Sequence, residues 1–303
     1  MKRYEPEGLA RSGVPMTEMR LRQAMERGTV LEAMVTHCDA AHTLYLDLGE
    51  AQGRICREEA AVGVAEGTAR ETAVLSLVGR VVCFRVMELS QTTDGLIAGC
   101  SRRLPQQEAR DTYLETLHPG DILPAVVTGL ARFGAFCDIG RGVTALLPTG
   151  WITVTHTEDA SERFSLGQQI VTVVREVADG RIALSHRELL GTWRDNAAQF
   201  APGQVTPGIV RGVMPFGVFV ELTPNLAGLC EPRTDLQRGE RVSVLIRSIQ
   251  PEKQTIKLSV VSKLPPSAEP PRYRYVRRTG HIDFWQYAPT ASENGGTPIL
   301  TCF

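Results

Sequence analysis

VVTGLARFGAFCDIGRGVTALLP, from Val126 to Pro148, returns as IVRGVMPFGVFVELTPNLAGLCE, from Ile209 to Glu231, without a gap. Phe133-Gly134-Ala135-Phe136 thereby falls on Phe216-Gly217-Val218-Phe219. A shared frame of this length makes the chain a tandem array in which each copy is one structural unit.

Each copy continues with the same punctuation. After Gly167 come Ile170, Thr172 and Val174, and after Gly239 come Val242, Val244 and Ile246. Largely apolar positions at a spacing of two predict a strand with one face in the core. Asp179-Gly180 and the Pro251-Glu252-Lys253 stretch then turn the chain into RIALS (Arg181 to Ser185) and TIKLS (Thr255 to Ser259), each a last strand. Five strands in roughly sixty residues are too few for a two-sheet sandwich and fit a small closed barrel, which hides its edges and fills its interior with side chains.

A divergent third copy lies upstream. VTHCDAAHTLYLDLG, Val35 to Gly49, sets His42 on Phe133, Tyr45 on Phe136, Asp47 on Asp138 and Gly49 on Gly140. Val82, Phe84 and Val86 repeat the fourth strand, and GLIAGCS from Gly95 repeats GRIALSH from Gly180. The expected fold is mainly β, three tandem five-stranded barrels joined by short helices. Its segments are 1–27 with a helix, 28–103 as the divergent barrel, 104–118 as a helical linker, 119–190 as the second barrel, 191–199 as a linker, 200–264 as the third barrel and 265–303 as a tail. Helices are expected over Met16 to Arg27, with Thr17 as N-cap and Gly28 at the end, over Leu104 to Leu117, and over Glu188 to Gln199. Two roles are open for them: holding neighbouring barrels in limited orientations, or plugging barrel ends.

With 43% apolar residues in 303, the chain is an ordinary folded protein. No apolar run approaches the roughly 18 to 20 residues of a membrane span, and MKRYEPEG has no apolar signal core behind it, so a cytoplasmic protein without membrane contact is expected. The seven Cys lack any Cys-x-x-Cys pair or nearby paired His and read as small core residues, so neither metal nor cofactor is expected. The net charge of -1 conceals segments. Residues 200–264 carry eight bases against five acids, 28–103 carry seven against ten, and 119–190 carry six against eight. Non-specific duplex binding by charge alone is excluded, so any nucleic-acid binding must lean on stacking. After Leu264 a Pro-rich spacer precedes Arg272, Tyr273, Arg274, Tyr275, Arg277 and Arg278, then Trp285, Tyr287 and Phe303. Such a tail either contacts phosphates and stacks on bases or folds back over a barrel.

Residues three apart on a strand point to opposite faces, so both Phe of each FGxF phrase share a surface only if Gly134 and Gly217 bend or bulge the chain. The alternative puts one Phe of each pair in the core. Two adjacent rings on a barrel wall would give unpaired bases a platform.

Gly129 and Gly134, FGAFCDIG, ALLP, GQQIVTVV and GRIALS together resemble the S1 RNA-binding domain, an OB-fold barrel repeated in bacterial ribosomal protein S1. The resemblance covers about two-thirds of the chain. It implies an RNA face made of the FGAF pair, a His after the third strand, an Asp before the last turn and an Arg opening the last strand. The middle copy keeps Phe133, Phe136 and Arg181, with Pro148 at the His position. The last copy keeps Phe216 and Phe219, with Glu231 at the His position, Thr255 at the Arg position and Lys257 two residues on. In the first copy His42 and Tyr45 replace the Phe pair, Arg57 falls at the His position and Leu96 at the Arg position.

Six scattered His, no Gly-rich phosphate loop and no Ser/His/Asp spacing give no catalytic residues. The expectation is a non-catalytic binder of single-stranded RNA, mRNA included, with the small ribosomal subunit as a further partner. The second reading is an adaptor for a ribosome or ribonuclease that acts through protein contacts.

Overall fold

The computed structural model describes residues 3–9, 16–93, 95–266, 273–288 and 299–303; the Pro-rich spacer beyond Pro266 and Arg272 lie outside them. The chain forms two compact units, Met1–Thr116 with Asp138–Thr144, and Leu117–Cys137 with Ala145–Phe303.

The first unit opens with α1 (Glu18–Arg27), whose start and stop are as the sequence implies. The Thr17 hydroxyl accepts from the Arg20 N–H, and Gly28 closes the helix in the left-handed region at φ 60°. Then come β1 (Leu31–Cys38), β2 (Leu44–Asp47), β3 (Ala51–Ile55), α2 (Thr72–Leu75), β4 (Val81–Thr92) and β5 (Gly95–Ser101). The strands close in the order β1-β2-β3-β5-β4, with β3 and β5 parallel. Val35, Leu44, Leu46, Phe84 and Ala98 fill the interior, and Leu21 and Ala24 of α1 join the same cluster. Helix α1 is therefore a plug. α3 (Arg103–Thr116) buries Ala109 and Tyr113, whose hydroxyl donates to the Ile139 carbonyl over 3.0 Å.

The remaining strands are β6 (Ile122–Ala131), β7 (Gly134–Asp138), β8 (Thr144–Pro148), β9 (Gln169–Ala178) and β10 (Arg181–Ser185), then, after α4 (Trp193–Ala197), β11 (Val205–Met214), β12 (Gly217–Thr223), β13 (Leu226–Cys230), β14 (Arg241–Gln250) and β15 (Thr255–Leu264). They close two more five-stranded barrels with the same strand order. The β9–β10 turn has positive φ at both Asp179 and Gly180, the backbone a two-residue hairpin needs to match strand twist. Strand β15 runs five residues beyond the expected Ser259, pairing Leu264 with Arg241. The single helix expected over Glu188 to Gln199 is two pieces. A 3-10 turn, Arg187–Leu190, ends at Gly191 with φ 84° and ψ 170°, and α4 restarts with Thr192 and Asp195 as a reciprocal capping box.

The middle and third barrels share a polar core. Arg163, 1% exposed, grips Glu221 with two parallel hydrogen bonds of 2.8 and 2.9 Å. Arg211 takes the same carboxylate from the other side at 2.8 and 3.2 Å and reaches Glu162 at 3.0 Å. Burial alone would raise the Glu221 carboxyl, but the hydrogen bonds and charges of Arg163 and Arg211 hold it below its ordinary value. Nearby, fully buried Asn225 accepts from the Val154 N–H at 3.0 Å and donates to the carbonyls of Arg187 and Gly191 at 2.8 and 3.0 Å.

The C-terminal segment folds back on the middle barrel. Its backbone bonds join Ile122 to Gly280, Ile282 to Gly120 and Val276 to Leu189. Ile282 and Trp285 cluster with Ile122, Val173 and Leu189, while β16 (Phe284–Gln286) pairs with β17 (Leu300–Cys302). Of the two roles open for the tail aromatics, docking is the one that Tyr273, Tyr275, Trp285 and Tyr287 perform. The Tyr273 hydroxyl donates to the Arg163 carbonyl at 2.7 Å, and the Tyr287 hydroxyl donates to the Asn225 carbonyl.

Candidate nucleic-acid interface

Both Phe pairs lie on the outside. Phe133 is 60% and Phe136 36% exposed, and Phe216 and Phe219 are 64% and 37% exposed. The rings meet edge to face in both barrels, with centroids 5.9 Å apart at 89° in the middle one and 6.1 Å apart at 85° in the third. The surface is thus a right-angled notch. A base can lie flat on one ring while its rim meets the other.

The reason the pair shares a face differs from the expected glycine bend. Phe133 and Phe216 sit in the turn before the strand, where alternation does not apply, and only Phe136 and Phe219 lie on β7 and β12. The glycines between serve close approach. A Cβ on Gly134 would lie 2.6 Å from the Leu147 carbonyl oxygen, and one on Gly217 would lie 2.5 Å from that of Cys230. A second glycine is the floor of the notch. A Cβ on Gly129 would touch the Phe136 ring at 3.4 Å, and Gly212 pairs directly with Phe219.

Strand register then places the charged residues. Phe219 faces Leu229, and Leu229 faces Lys257 across the parallel β13–β15 pair. At about 4.8 Å per strand this sets Lys257 roughly 10 Å from Phe219 on the same wall. In the middle barrel Ala183 faces Leu146 and so takes the register of Lys257. Arg181, exposed at the start of β10, projects from the same face two residues away, at the register of Thr255. Glu231 is exposed just past β13, so a carboxylate flanks the third notch and opposes phosphate there.

The first barrel is built otherwise. His42 occupies the β1–β2 turn at φ 61°, its N–H bonded to the Asp39 carbonyl, and Arg57 lies in the 3-10 turn Arg57–Glu59 after β3. Neither is the neighbour that Tyr45 has. His37 pairs with Tyr45 in register and stacks on it, centroids 4.3 Å apart and planes 5° apart. Arg54 faces Tyr45 from β3, its guanidinium carbon 5.6 Å from the ring centre. The Tyr45 hydroxyl donates to Asp39 at 3.0 Å, and the Thr43 N–H and this hydroxyl keep the Asp39 carboxyl below its ordinary range. Val35 faces Leu46 as Val210 faces Val220, which makes His37 the counterpart of Gly212. The first hairpin therefore holds one residue more than the others, and a ring fills the place of the glycine floor.

Residues 116–187 match the S1 RNA binding domain family. The middle barrel is thus an S1 domain, in a chain that is S1-like. It is similar to the small ribosomal subunit proteins bS1 of Staphylococcus aureus (strain COL) and Staphylococcus haemolyticus (strain JCSC1435). Each is 31% identical over 205 residues, covering 62% of this chain and 52% of the relative. The S1-like chain thus spans about half the length of the curated relatives it matches. Among solved structures it is similar to a multidomain protein with nucleic acid binding domains from Streptococcus pneumoniae TIGR4, at 16% identity and a TM-score of 0.27 over 80% of this chain and 76% of that one.

Among the described residues of the S1-like chain, no group of three His, Cys, Asp or Glu side chains could hold a metal ion. No described helix is long and apolar enough to cross a membrane. Sequence reasoning missed His37 and Arg54. The missing signal was the extra residue of the first hairpin, since an ungapped alignment slides β1 by one position and hides the residue opposite Tyr45.

Proposed function

We propose that the chain binds single-stranded RNA, mRNA in translation, through bases stacked in the notches of the middle and third barrels, with phosphate contacts from Arg181 and Lys257. The carrying observation is the pair of exposed, edge-to-face Phe notches of matching geometry on two barrels. Every base has a flat face, so stacking tolerates any sequence and is worth roughly 1 to 3 kcal/mol per base. The His37–Tyr45 stack supplies a weaker third position. Linked weak sites gain through effective concentration, so one strand engages several notches more firmly than any notch alone. The role is binding without catalysis, in the cytoplasm, with the small ribosomal subunit as a further partner.

The test is titration of a labelled oligouridylate against the double variant Phe133→Ala, Phe136→Ala. Affinity should fall roughly tenfold or more, the loss of one to two stacked bases. An unchanged affinity with the fold intact would overturn the reading.

A protein-binding adaptor is the second reading, and the third barrel favours it: exposed Val213, Met214 and Leu229 adjoin or face its Phe strand, and Glu231 opposes phosphate. Salt separates the two, because phosphate contact weakens steeply as salt rises, whereas an apolar protein contact does not.

A further inference from the structure

We propose that the docked segment 273–288 presents a second RNA contact outside the barrel notches, a stripe formed by Arg274, Arg277 and Arg278 that takes backbone phosphates. The inference rests on the RNA reading above and extends its footprint.

The segment sorts its residues by chemistry. Tyr273 and Tyr275 turn inward, against Phe164 and the buried His186, while Arg274, Val276, Arg277 and Arg278 are exposed. Backbone hydrogen bonds at Val276, Gly280 and Ile282 hold the ribbon in place, so the arginines stand on a fixed support rather than on a loose end. Two are partly ordered by groups that leave their charge unspent. The Arg278 guanidinium carbon lies 5.1 Å from the Tyr275 ring centre, and Arg277 donates to the His281 carbonyl at 2.6 Å.

Their charge is unopposed. Elsewhere in this unit Arg163, Arg211, Arg233 and Arg238 each pair with a carboxylate and Arg181, Arg194 and Arg247 do not, but only the stripe gathers three unpaired arginines within residues 274–278 of the described chain. Among the described residues Arg274, Arg277 and Arg278 take part in no ion pair, and the segment holds one acid, Asp283, which lies beside His281 at 3.4 Å. Three uncompensated guanidinium groups on a chain of net charge -1 call for a polyanion, and Arg is the side chain best shaped for phosphate oxygens. The ribbon and the notch also share a strand. Ile122, at one end of β6, bonds to Gly280, and Gly129, seven residues on, is the floor under Phe136. At 3.2 to 3.4 Å per residue they lie about 23 Å apart. A long strand of RNA can reach both; a short one cannot.

The test compares the intact chain with the triple variant Arg274→Gln, Arg277→Gln, Arg278→Gln on two oligouridylates, one of about five nucleotides and one of about twenty, across a salt series. Each phosphate contact adds about 0.7 to the slope of log affinity against log salt for single strands. On the long RNA the variant should lose between about 1 and 2 of that slope and bind roughly tenfold more weakly at low salt. On the short RNA it should match the wild type. An unchanged slope on the long RNA overturns the stripe while leaving the notches standing, and so does equal weakening on both lengths. Binding of polyglutamate that the triple variant loses, with RNA binding unchanged, overturns it in favour of an acidic protein partner. If the intact chain binds neither oligonucleotide, the RNA reading itself has failed and the stripe goes with it.

Discussion

The Tyr275 hydroxyl meets Nε2 of His186 over 3.1 Å, so a residue of the C-terminal segment completes the hydrogen bonding of a fully buried histidine whose tautomer the Ile152 carbonyl sets. The Val171 N–H donates to the same hydroxyl at 3.2 Å, and His186 Nδ1–H donates to the Ile152 carbonyl at 2.9 Å. This directional chain needs a neutral ring, and burial pushes the imidazole down to about 4.

Stability should therefore depend on pH below neutrality. The unfolded histidine takes up its proton near 6.5 and the folded one only near 4, so the unfolded state binds more protons between those values. The stabilising contribution is whole above pH 6.5 and lost as pH falls towards 4, amounting to roughly 3 kcal/mol. Urea midpoints measured from pH 7 to pH 4, with and without His186→Phe, check this. A parallel fall in both proteins would assign the loss elsewhere.

Glu221→Ala leaves Arg163 and Arg211 buried without their carboxylate. The expected cost is about 3 to 5 kcal/mol, the range for breaking one side of a buried ion pair. Glu162→Gln, at a more exposed carboxylate, should cost under about 1 kcal/mol. Chemical denaturation of both variants decides it, and equal costs would mean the buried carboxylate holds nothing together.

The two glycines around Phe136 should separate stability from binding. Gly134→Ala sets a methyl 2.6 Å from backbone, which cannot yield cheaply, so a loss on the order of 1 to 3 kcal/mol is expected. Gly129→Ala meets the Phe136 side chain first, at 3.4 Å, and should shift Phe136 with little change in melting. Oligouridylate affinity should fall in Gly129→Ala nonetheless. Retained affinity there would show that the floor does not set the notch.

Glu231→Gln removes the carboxylate beside the third notch. Oligouridylate binding at low salt should tighten roughly two- to fivefold, the scale of one exposed charge interaction of about 0.5 to 1 kcal/mol. The gain should fade at high salt. A loss of affinity would mean that Glu231 contacts the ligand itself.

The barrels were readable because their logic is local. Strand periodicity, the Asp179-Gly180 turn and the repeated frame each follow from neighbours in sequence. The exposure of Phe133 and Phe216 was only half legible, since it depends on a two-residue turn that the FGxF phrase does not announce. One signal pointed to the covering tail: Val171 and Val173 place apolar side chains on the outward face of β9, where a solvated strand would carry polar ones. The pairing of Arg163 with Glu221, 58 residues apart, left no local trace. Neither did the neighbour of Tyr45, because register across a hairpin depends on its length, and the first hairpin is one residue longer.

Asn225 commits its whole side-chain amide to Val154, Arg187 and Gly191, none of which belongs to its own barrel. Recombination within residues 191–199 would leave Glu221 with Arg211 alone in one product and orphan Arg163 in the other. Either repeat transplanted alone would carry buried polar groups cut off from their partners, so a protein engineer who borrows one does best to borrow its twin.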